Sequence, residues 1–166
     1  MNAKVLRALS YGVYAVGVKT PDGRLSASIV NALAQVTNDP PCVCVCVNHK
    51  NYTNECIKES GQFSISVFSR EATLIQIGSL GFTSGRDHDK LAAQKFRVDP
   101  NGLPLLENNI CAWFICKVIG QTETSTHTLF LAEVTETSEE VAGHPMSYEY
   151  YHTVVKGKTP KNAPHA

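Results

Sequence analysis

Two polar segments of this sequence combine hydroxyl groups with positive charge, which is the chemistry needed to hold a phosphate. The first follows a strand-like run and contains Asn48, Lys50, Tyr52 and Thr53. It opens a predicted helix, and backbone N–H groups at a helix N-terminus attract anions. A capped helix beside a solvated lysine has the same pattern. This segment alone therefore predicts either a phosphate site or an ordinary helix start.

The second polar segment, from Ser84 to Lys90, adds another hydroxyl and two more cations. The Arg86 guanidinium group can bind a phosphate through two parallel hydrogen bonds, and a predicted helix places Lys90 one turn beyond it. The alternative is a surface loop in which Arg86 pairs with a carboxylate. Because two separate segments each offer a hydroxyl and a cation, we expect both to converge on one dianionic phosphate.

One histidine is a candidate for a role in catalysis. His127 heads the segment HTLFLAEV, whose alternating pattern predicts a strand with His127 at its polar end. A histidine in that position is more often a hydrogen-bonded rim residue than a catalyst. The other histidines have no metal-ligand spacing and no Cys-x-x-Cys pair occurs, so we predict no metal site.

The six cysteines are interpreted as reduced thiols rather than as a disulfide framework. Cys42, Cys44 and Cys46 alternate with valines, so they project from one face of a strand. Neighbours on that face are spaced about 7 Å apart along the strand, which is awkward for a disulfide. We expect these three cysteines to be buried core residues.

Composition places the chain among globular proteins. Its 166 residues are enough to bury a core that needs no disulfide bonds or metal ions. Its 15 basic and 15 acidic residues balance, so no net charge attracts nucleic acid or an anionic membrane. No apolar run is long enough for a membrane span and no signal-peptide pattern is present, so we expect a cytoplasmic protein. We predict one domain, residues 1–155, followed by an arm or linker, residues 156–166.

Periodicity and turn residues predict a mainly β chain with short helices. The first predicted helix has an apolar stripe of Val5, Leu6 and Leu9, and Ser69 is the predicted N-cap of the third. Many short strands favour an antiparallel barrel over a doubly wound sheet. Predicted strands cover residues 11–19, 25–36, 42–48, 63–67, 103–107, 110–119 and 127–135; predicted helices cover 3–10, 52–59, 70–80 and 87–94; residues 148–155 form a strand or a helix–strand unit.

In their order along the chain, these segments resemble the flavin reductase-like family, which has the FMN-binding split-barrel fold. The landmarks are NDPP, CVCVCVN, HKNYT, SGRDHDK and HTLFLAEV. The resemblance extends from about Val5 to Val155 and is closest to the flavoredoxin-like domain that occurs alone or fused to a rubredoxin. No rubredoxin cysteines follow here, so we expect the flavin domain only. The resemblance implies a Greek-key split β-barrel that binds FMN.

The resemblance also implies a role for each candidate residue. Backbone groups of one strand would contact the isoalloxazine ring, namely those of Ser28, Ile29, Val30, Asn31 and Ala32. Side chains from both polar segments would hold the ribityl phosphate, namely Asn48, Lys50, Tyr52, Thr53, Ser84, Arg86 and Lys90. His127 matches the position on the nicotinamide side of the flavin. Ala32 stands where relatives often carry a hydroxyl residue, which puts more weight on the backbone there.

The function implied is that of an FMN-dependent, NAD(P)H-dependent flavin reductase-like oxidoreductase. It would take a hydride from NAD(P)H onto bound flavin and pass electrons to a flavin, iron or a redox protein of the rubredoxin or flavodiiron type. Family members are generally homodimers with the flavin near the subunit interface. Two alternatives stay open, an FMN-containing electron-transfer protein without direct NAD(P)H activity and a non-catalytic split barrel that binds another anionic ligand.

Overall fold

Alternating apolar residues build a coiled antiparallel sheet, as the sequence predicts. The computed structural model describes residues 1–159 and residue 163. Within them a short 3-10 helix, Ala3–Ala8, precedes the first strand. The strands are β1 (Tyr14–Lys19), β2 (Leu25–Val30), β3 (Leu33–Asn38), β4 (Pro41–Asn48), β5 (Gln62–Phe68), β6 (Phe96–Val98), β7 (Pro104–Leu106), β8 (Ile110–Glu123) and β9 (His127–Thr137), and the α-helices are α1 (Tyr52–Ser60), α2 (Leu74–Gly81) and α3 (Tyr148–Thr153).

Seven strands form one sheet in the order β2-β1-β5-β8-β9-β4-β3, and β6 pairs with β7 in a separate hairpin. The two edge strands, β2 and β3, are consecutive in the chain, so Asn31 and Ala32 connect opposite edges of the sheet. The carbonyl oxygen of Ala32 accepts a hydrogen bond from the Cys46 amide at 3.0 Å. The sheet therefore curls until its edges meet, and the expected split-barrel architecture is confirmed.

The interior of the barrel is filled by alternate residues of its strands. Val45 and Val47 on β4, Ile65 on β5 and Phe130 on β9 are completely buried. Each such side chain contributes about 2 kcal/mol to folding through removal of apolar surface from water. Val43 and Val45 of β4 are buried and point inward. Cys44 lies between these two valines in the sequence, so it points outward, and it is half-buried.

The expected burial of the three β4 cysteines is therefore only partly correct. Cys42 is buried, whereas Cys44 and Cys46 are half-buried, although all six cysteines of the chain are free thiols. A strand with an apolar residue at every position does not reveal which face is the inner one. The bulkier β-branched valines occupy the core, and the cysteines cover the outer face.

The predicted strand over residues 25–36 is wrong in one respect, because the chain breaks at Asn31 and Ala32. β2 pairs with β1, and β3 pairs with β4 at the other edge of the sheet. The apolar alternation runs through the break almost unchanged, so the pattern alone could not reveal it. The change of pairing partner is a property of the whole sheet.

Three predicted helices differ from the structure. The first is a 3-10 helix, and Val5, Leu6 and Leu9 are at least half exposed rather than forming a buried stripe. α2 begins at Leu74, and its N-cap is Thr73, whose side chain accepts a hydrogen bond from the Gln76 amide. Ser69 lies before the helix, and its amide bonds the Asn109 carbonyl oxygen at 2.8 Å.

Residues 87–94 form successive turns instead of the predicted helix. The amides of Asp87 and His88 both bond the Ser84 carbonyl oxygen. The Asp89 carboxylate accepts a hydrogen bond from the Leu91 amide at 3.0 Å, which competes with helical hydrogen bonding.

The C-terminal part of the chain is a helix followed by a returning segment. Residues 148–153 form α3, so the helical part of the predicted helix–strand unit is correct, but no strand follows it among residues 154–159. Of the predicted arm or linker, residues 160–162 and 164–166 lie outside the described residues. Among the helices that are described, none has the length and apolarity needed to cross a bilayer.

Candidate functional site

The polar turn between β4 and α1 forms one side of a cavity. The Asn48 side chain accepts a hydrogen bond from the Lys50 amide at 2.9 Å, and the Asn51 amide bonds the Asn48 carbonyl oxygen at 3.0 Å. These two bonds fix the turn. The first turn of α1 carries no side-chain cap, so its N-terminus is not the ordinary capped start that the alternative interpretation requires.

A buried pair of hydroxyl groups joins this turn to β2. The hydroxyl oxygens of Ser28 and Thr53 lie 2.7 Å apart, and both residues are buried. Either hydroxyl can donate in this bond. Both residues line the cavity, so the pair also presents hydrogen-bonding capacity to anything bound there.

The cavity beside this pair is polar and encloses about 180 Å³. It brings together both predicted phosphate segments, since Lys50, Tyr52 and Thr53 face Ser84 and Lys90 across it. The described residues that line it include two lysines and no carboxylate. These residues are Ser28, Ile29, Lys50, Asn51, Tyr52, Thr53, Leu80, Gly81, Phe82, Thr83, Ser84, Gly85 and Lys90. We call it the phosphate-side cavity, because its charge suits an anion.

Lys90 is the more unusual of the two cations. It is only 7% exposed, and burial lowers the pKa of its ammonium group to about 8. No ion pair found among the described residues involves it. A buried ammonium group of this kind is stabilised by an incoming anion.

Arg86 lies beside the cavity but is not part of its lining. Its guanidinium group stacks on the Tyr52 ring at 4.4 Å from the centroid and forms an ion pair with the Glu55 carboxylate. The pairing with an acid agrees with the alternative interpretation of this residue. Arg86 thus holds Tyr52, and Tyr52 lines the cavity.

A second, narrower cavity of about 70 Å³ lies at the end of β4 and β9. Asn48 and His127 are direct cross-strand partners and both line it. The Thr126 hydroxyl oxygen lies 2.8 Å from Nδ1 of His127 and fixes the ring. Residues Ile29, Val30 and Asn31 of the predicted ring-binding strand form another wall. We call this space the ring-side cavity.

The two cavities form one groove. Ile29, Asn51, Gly81 and Phe82 line both of them. Ala32 is not among the described lining residues of either cavity. Its carbonyl oxygen accepts a hydrogen bond from the Cys46 amide at 3.0 Å. The groove therefore has a cationic, polar end and a mixed aromatic and amide end, a donor set that suits a phosphorylated flavin.

Several lining residues escape prediction from the sequence. Phe82 ends α2 at the junction of the two cavities, and no motif marks it. Tyr148 and Tyr151 of α3 and Lys158 beyond it line the ring-side cavity from the far end of the sequence. The closing segment resembles the corresponding segment of relatives, which indicates that it belongs with the domain. Its place on the ring-side cavity depends on the tertiary fold and cannot be read from the sequence.

In the part of the chain that the structure describes, no group of three or more histidine, cysteine, aspartate or glutamate residues is placed to hold a metal ion. The groove is lined by hydroxyl, amide, aromatic and lysine side chains. Its residues could hold a flavin through its phosphate, its ribityl hydroxyls and its ring edge.

Comparison with known proteins gives a consistent result. Residues 6–157 match the flavin reductase like domain. The chain is 38% identical over 164 residues to the high molecular weight rubredoxin of Moorella thermoacetica, covering 99% of this chain and 71% of that protein. It is 32% identical over 163 residues to the ferric-chelate reductase (NAD(P)H) of Archaeoglobus fulgidus, covering 98% of this chain and 96% of that protein.

Among solved structures, the styrene monooxygenase flavin reductase from Pseudomonas putida S12 has a TM-score of 0.74 with this chain. The match covers 87% of this chain and 90% of that one at 23% identity, so it bears on the fold alone. The family match and the two relatives carry the assignment. The chain belongs to the flavin reductase-like domain family and is an oxidoreductase of the reductase type.

Proposed function

We propose that this protein binds FMN in the groove, accepts a hydride from NAD(P)H onto it, and passes the electrons to a flavin, iron or redox-protein acceptor. The observation that carries the proposal is the joined pair of cavities. One end presents Lys50 and Lys90 with no carboxylate among the described lining residues, and the other presents Asn31, Asn48 and His127.

The phosphate-side cavity would hold the FMN phosphate. Lys50 and Lys90 supply charge, the N-terminal amides of α1 supply donors, and the Ser28–Thr53 pair supplies hydroxyl groups. Ser84 lines the same cavity from the opposite side. Arg86 would act indirectly by holding the Tyr52 ring in place.

The ring-side cavity would hold the isoalloxazine ring. When bound, this ring accepts the hydride and passes on electrons. Backbone groups of Ile29, Val30 and Asn31 lie along one wall and can hydrogen-bond the ring edge. His127, fixed by Thr126, would position the nicotinamide rather than act as an essential acid or base.

The names of the relatives suggest the class of acceptor. One is a ferric-chelate reductase and another is a high molecular weight rubredoxin. Iron chelates and small redox proteins share a need for a flavin near the protein surface. Phe82, at the junction of the two cavities, is 55% exposed, so the groove opens to solvent where such an acceptor could approach.

A homodimer is part of the proposal. Cys44 and Cys46 on β4 lie directly opposite Leu131 and Leu129 on β9, and these four side chains form what we call the outer apolar face. Cys46 also lines the ring-side cavity, so this face adjoins the flavin groove. A second copy packed there would shield apolar surface and close the groove.

Purification without added cofactor, followed by anaerobic addition of NADH and of NADPH, tests the proposal. A protein that is yellow, or becomes so with FMN, and is bleached by one nucleotide supports it. Flavin that binds but is bleached by neither nucleotide favours the electron carrier. A chain that cannot be loaded with FMN contradicts both and leaves a split barrel for another anionic ligand.

His127 is tested in the same assay. His127→Ala should slow nucleotide-dependent bleaching by about tenfold, a typical loss when a positioning contact is removed, while the dissociation constant of FMN changes by less than about threefold. Thr126→Val, which removes the hydroxyl beside Nδ1, should have a smaller effect in the same direction. An unchanged bleaching rate in His127→Ala removes this residue from the mechanism.

A further inference from the structure

The chain turns back after α3 and lies across it. Lys156 has a left-handed backbone with φ of 62°, which reverses the chain direction just beyond the helix. Residues Lys156–Thr159 then run back along α3, and we call them the C-terminal return. The sequence pattern predicts an arm or linker at this point, so its attachment to the domain is a feature that only the structure reveals.

Hydrogen bonds with Tyr151 and His152 of α3 hold the C-terminal return. The Gly157 amide donates to the Tyr151 carbonyl oxygen at 2.9 Å, and the Tyr151 hydroxyl donates to the Lys158 carbonyl oxygen at 3.2 Å. Nδ1 of His152 lies 2.9 Å from the Gly157 carbonyl oxygen. So many bonds over so few residues indicate a docked segment rather than a passing contact.

Thr159 adds a further point of attachment. Its hydroxyl oxygen lies 2.8 Å from the Tyr148 hydroxyl and 3.1 Å from Nε2 of His152. Tyr148 is also hydrogen-bonded to Asn31, the residue that joins the two edges of the sheet. The C-terminal return is thus connected through Tyr148 to the wall of the ring-side cavity.

Close packing against Tyr151 requires glycine at position 157. A Cβ atom added there would lie 2.0 Å from the ring atom Cζ of Tyr151 and 2.2 to 2.4 Å from its neighbours. Real carbon atoms do not approach so closely. Any other residue at this position would push the C-terminal return away from α3, because Tyr151 is itself buried and has little freedom to move.

The docking places Lys158 on the lining of the ring-side cavity. The described lining contains no aspartate or glutamate, and Lys158 is its one permanent cation, since Lys50 and Lys90 line the phosphate-side cavity. Lys158 is exposed, and the structure holds it through its carbonyl oxygen, which accepts the Tyr151 hydroxyl. A positive charge beside a ring stabilises whichever redox state of that ring carries more negative charge.

We propose that the C-terminal return is part of the flavin-binding site and that Lys158 strengthens binding of the reduced, negatively charged flavin over the oxidised flavin. The proposal rests on the proposed function, because it assigns a residue to the ring end of the same groove.

The test compares the affinities of the oxidised and reduced flavin. FMN titration gives the oxidised value, and the midpoint potential of bound against free FMN gives the ratio of the two. Lys158→Met should lower the preference for reduced FMN by about tenfold, which is about 30 mV for a two-electron couple. Lys158→Arg, which keeps the charge, should stay within about twofold of the wild type.

Gly157→Ala tests the docking independently. Hydrogen exchange of the amide at position 157, which bonds the Tyr151 carbonyl oxygen, should become faster in flavin-free protein, and the preference for reduced FMN should fall as in Lys158→Met. Gly120→Ala is the matched control, since an added Cβ there meets nothing within 4 Å. Lys156→Met removes a charge from the same segment without touching the cavity lining, and should leave the preference unchanged.

The outcomes separate this inference from the proposed function. Wild-type protein that binds FMN and is reduced by NAD(P)H, with Lys158→Met showing the wild-type preference, overturns the role of Lys158 and leaves the function standing. Fast exchange of the Gly157 amide in the wild type overturns the docking. A wild-type protein that binds no flavin overturns the proposed function and this inference together.

Discussion

Lys90 is the residue whose environment most clearly favours an anion. It is buried, its pKa is lowered to about 8 by that burial, and it lines a cavity with a second lysine. Burying an ammonium group without a partner costs free energy that a bound phosphate would offset. The sequence suggested Lys90 through its spacing from Arg86, although the helix behind that spacing does not form.

A bound phosphate should make flavin affinity depend on pH through Lys90. The dianion favours the charged ammonium group and raises its pKa again, so binding above pH 8 takes up a proton. FMN affinity should therefore fall by about tenfold between pH 8 and pH 9.5. Fluorescence titration across this range measures it. The variant Lys50→Met should bind more weakly and keep this loss, whereas Lys90→Met should show none. A flat wild-type profile is inconsistent with a phosphate at Lys90.

Arg86 and Lys90 should differ sharply in their effect on FMN binding, although both belong to the predicted phosphate segment. Lys90 lines the cavity, whereas Arg86 is engaged by Glu55 and Tyr52 outside it. We expect Lys90→Ala to weaken FMN binding by about 50-fold or more and Arg86→Ala by less than about fivefold. Equal losses in equilibrium titrations of the two variants would show that Arg86 contacts the phosphate directly.

At the scale of elements, α1 is the part that sets the geometry of the site. Asn54 is buried, and its side-chain amide donates to the Val47 carbonyl oxygen and the Thr128 hydroxyl oxygen, each at 2.9 Å. These bonds attach α1 to β4 and β9 at once. The turn that carries Lys50 lies immediately before α1, so its position depends on this attachment.

Replacing Asn54 should destabilise the fold measurably. Asn54→Ala leaves the buried Val47 carbonyl group without this donor, and we expect the free energy of unfolding to fall by about 2 kcal/mol. Urea denaturation followed by circular dichroism measures the change. Asn108→Ala, at an exposed position, is the control and should change it by less than about 0.5 kcal/mol. A loss at Asn54 no larger than the control would mean that packing alone holds α1.

Local signals predicted the elements that local interactions determine. The predicted helix over residues 52–59 and the predicted strands over 42–48 and 63–67 follow from turn residues and alternation, and the structure has them as α1, β4 and β5. The break at Asn31 and the docking of the C-terminal return do not, because each depends on which distant element the chain meets. The same holds for the site. Its phosphate end uses neighbouring polar residues, while its ring end collects side chains from distant parts of the sequence.

At the scale of the whole molecule, the outer apolar face predicts self-association. Leu131 is 37% exposed on this face, opposite Cys44. We expect the wild-type protein to be a dimer by light scattering, and Leu131→Glu to shift it toward monomer by placing a charge in the interface. Val141→Glu alters an exposed side chain outside the strands and should leave the dimer intact. A monomeric wild type at micromolar concentration contradicts the dimer.

The ratio of affinities for FMN and riboflavin tests directly whether the groove holds a flavin by its phosphate. Both share the ring and the ribityl chain, so only the phosphate differs. Charge-assisted bonds from Lys50, Lys90 and the α1 amides should make FMN bind about 100-fold more tightly than riboflavin. Titration of flavin-free protein with each ligand measures the ratio. Equal affinities would contradict the proposal that the phosphate-side cavity holds the FMN phosphate.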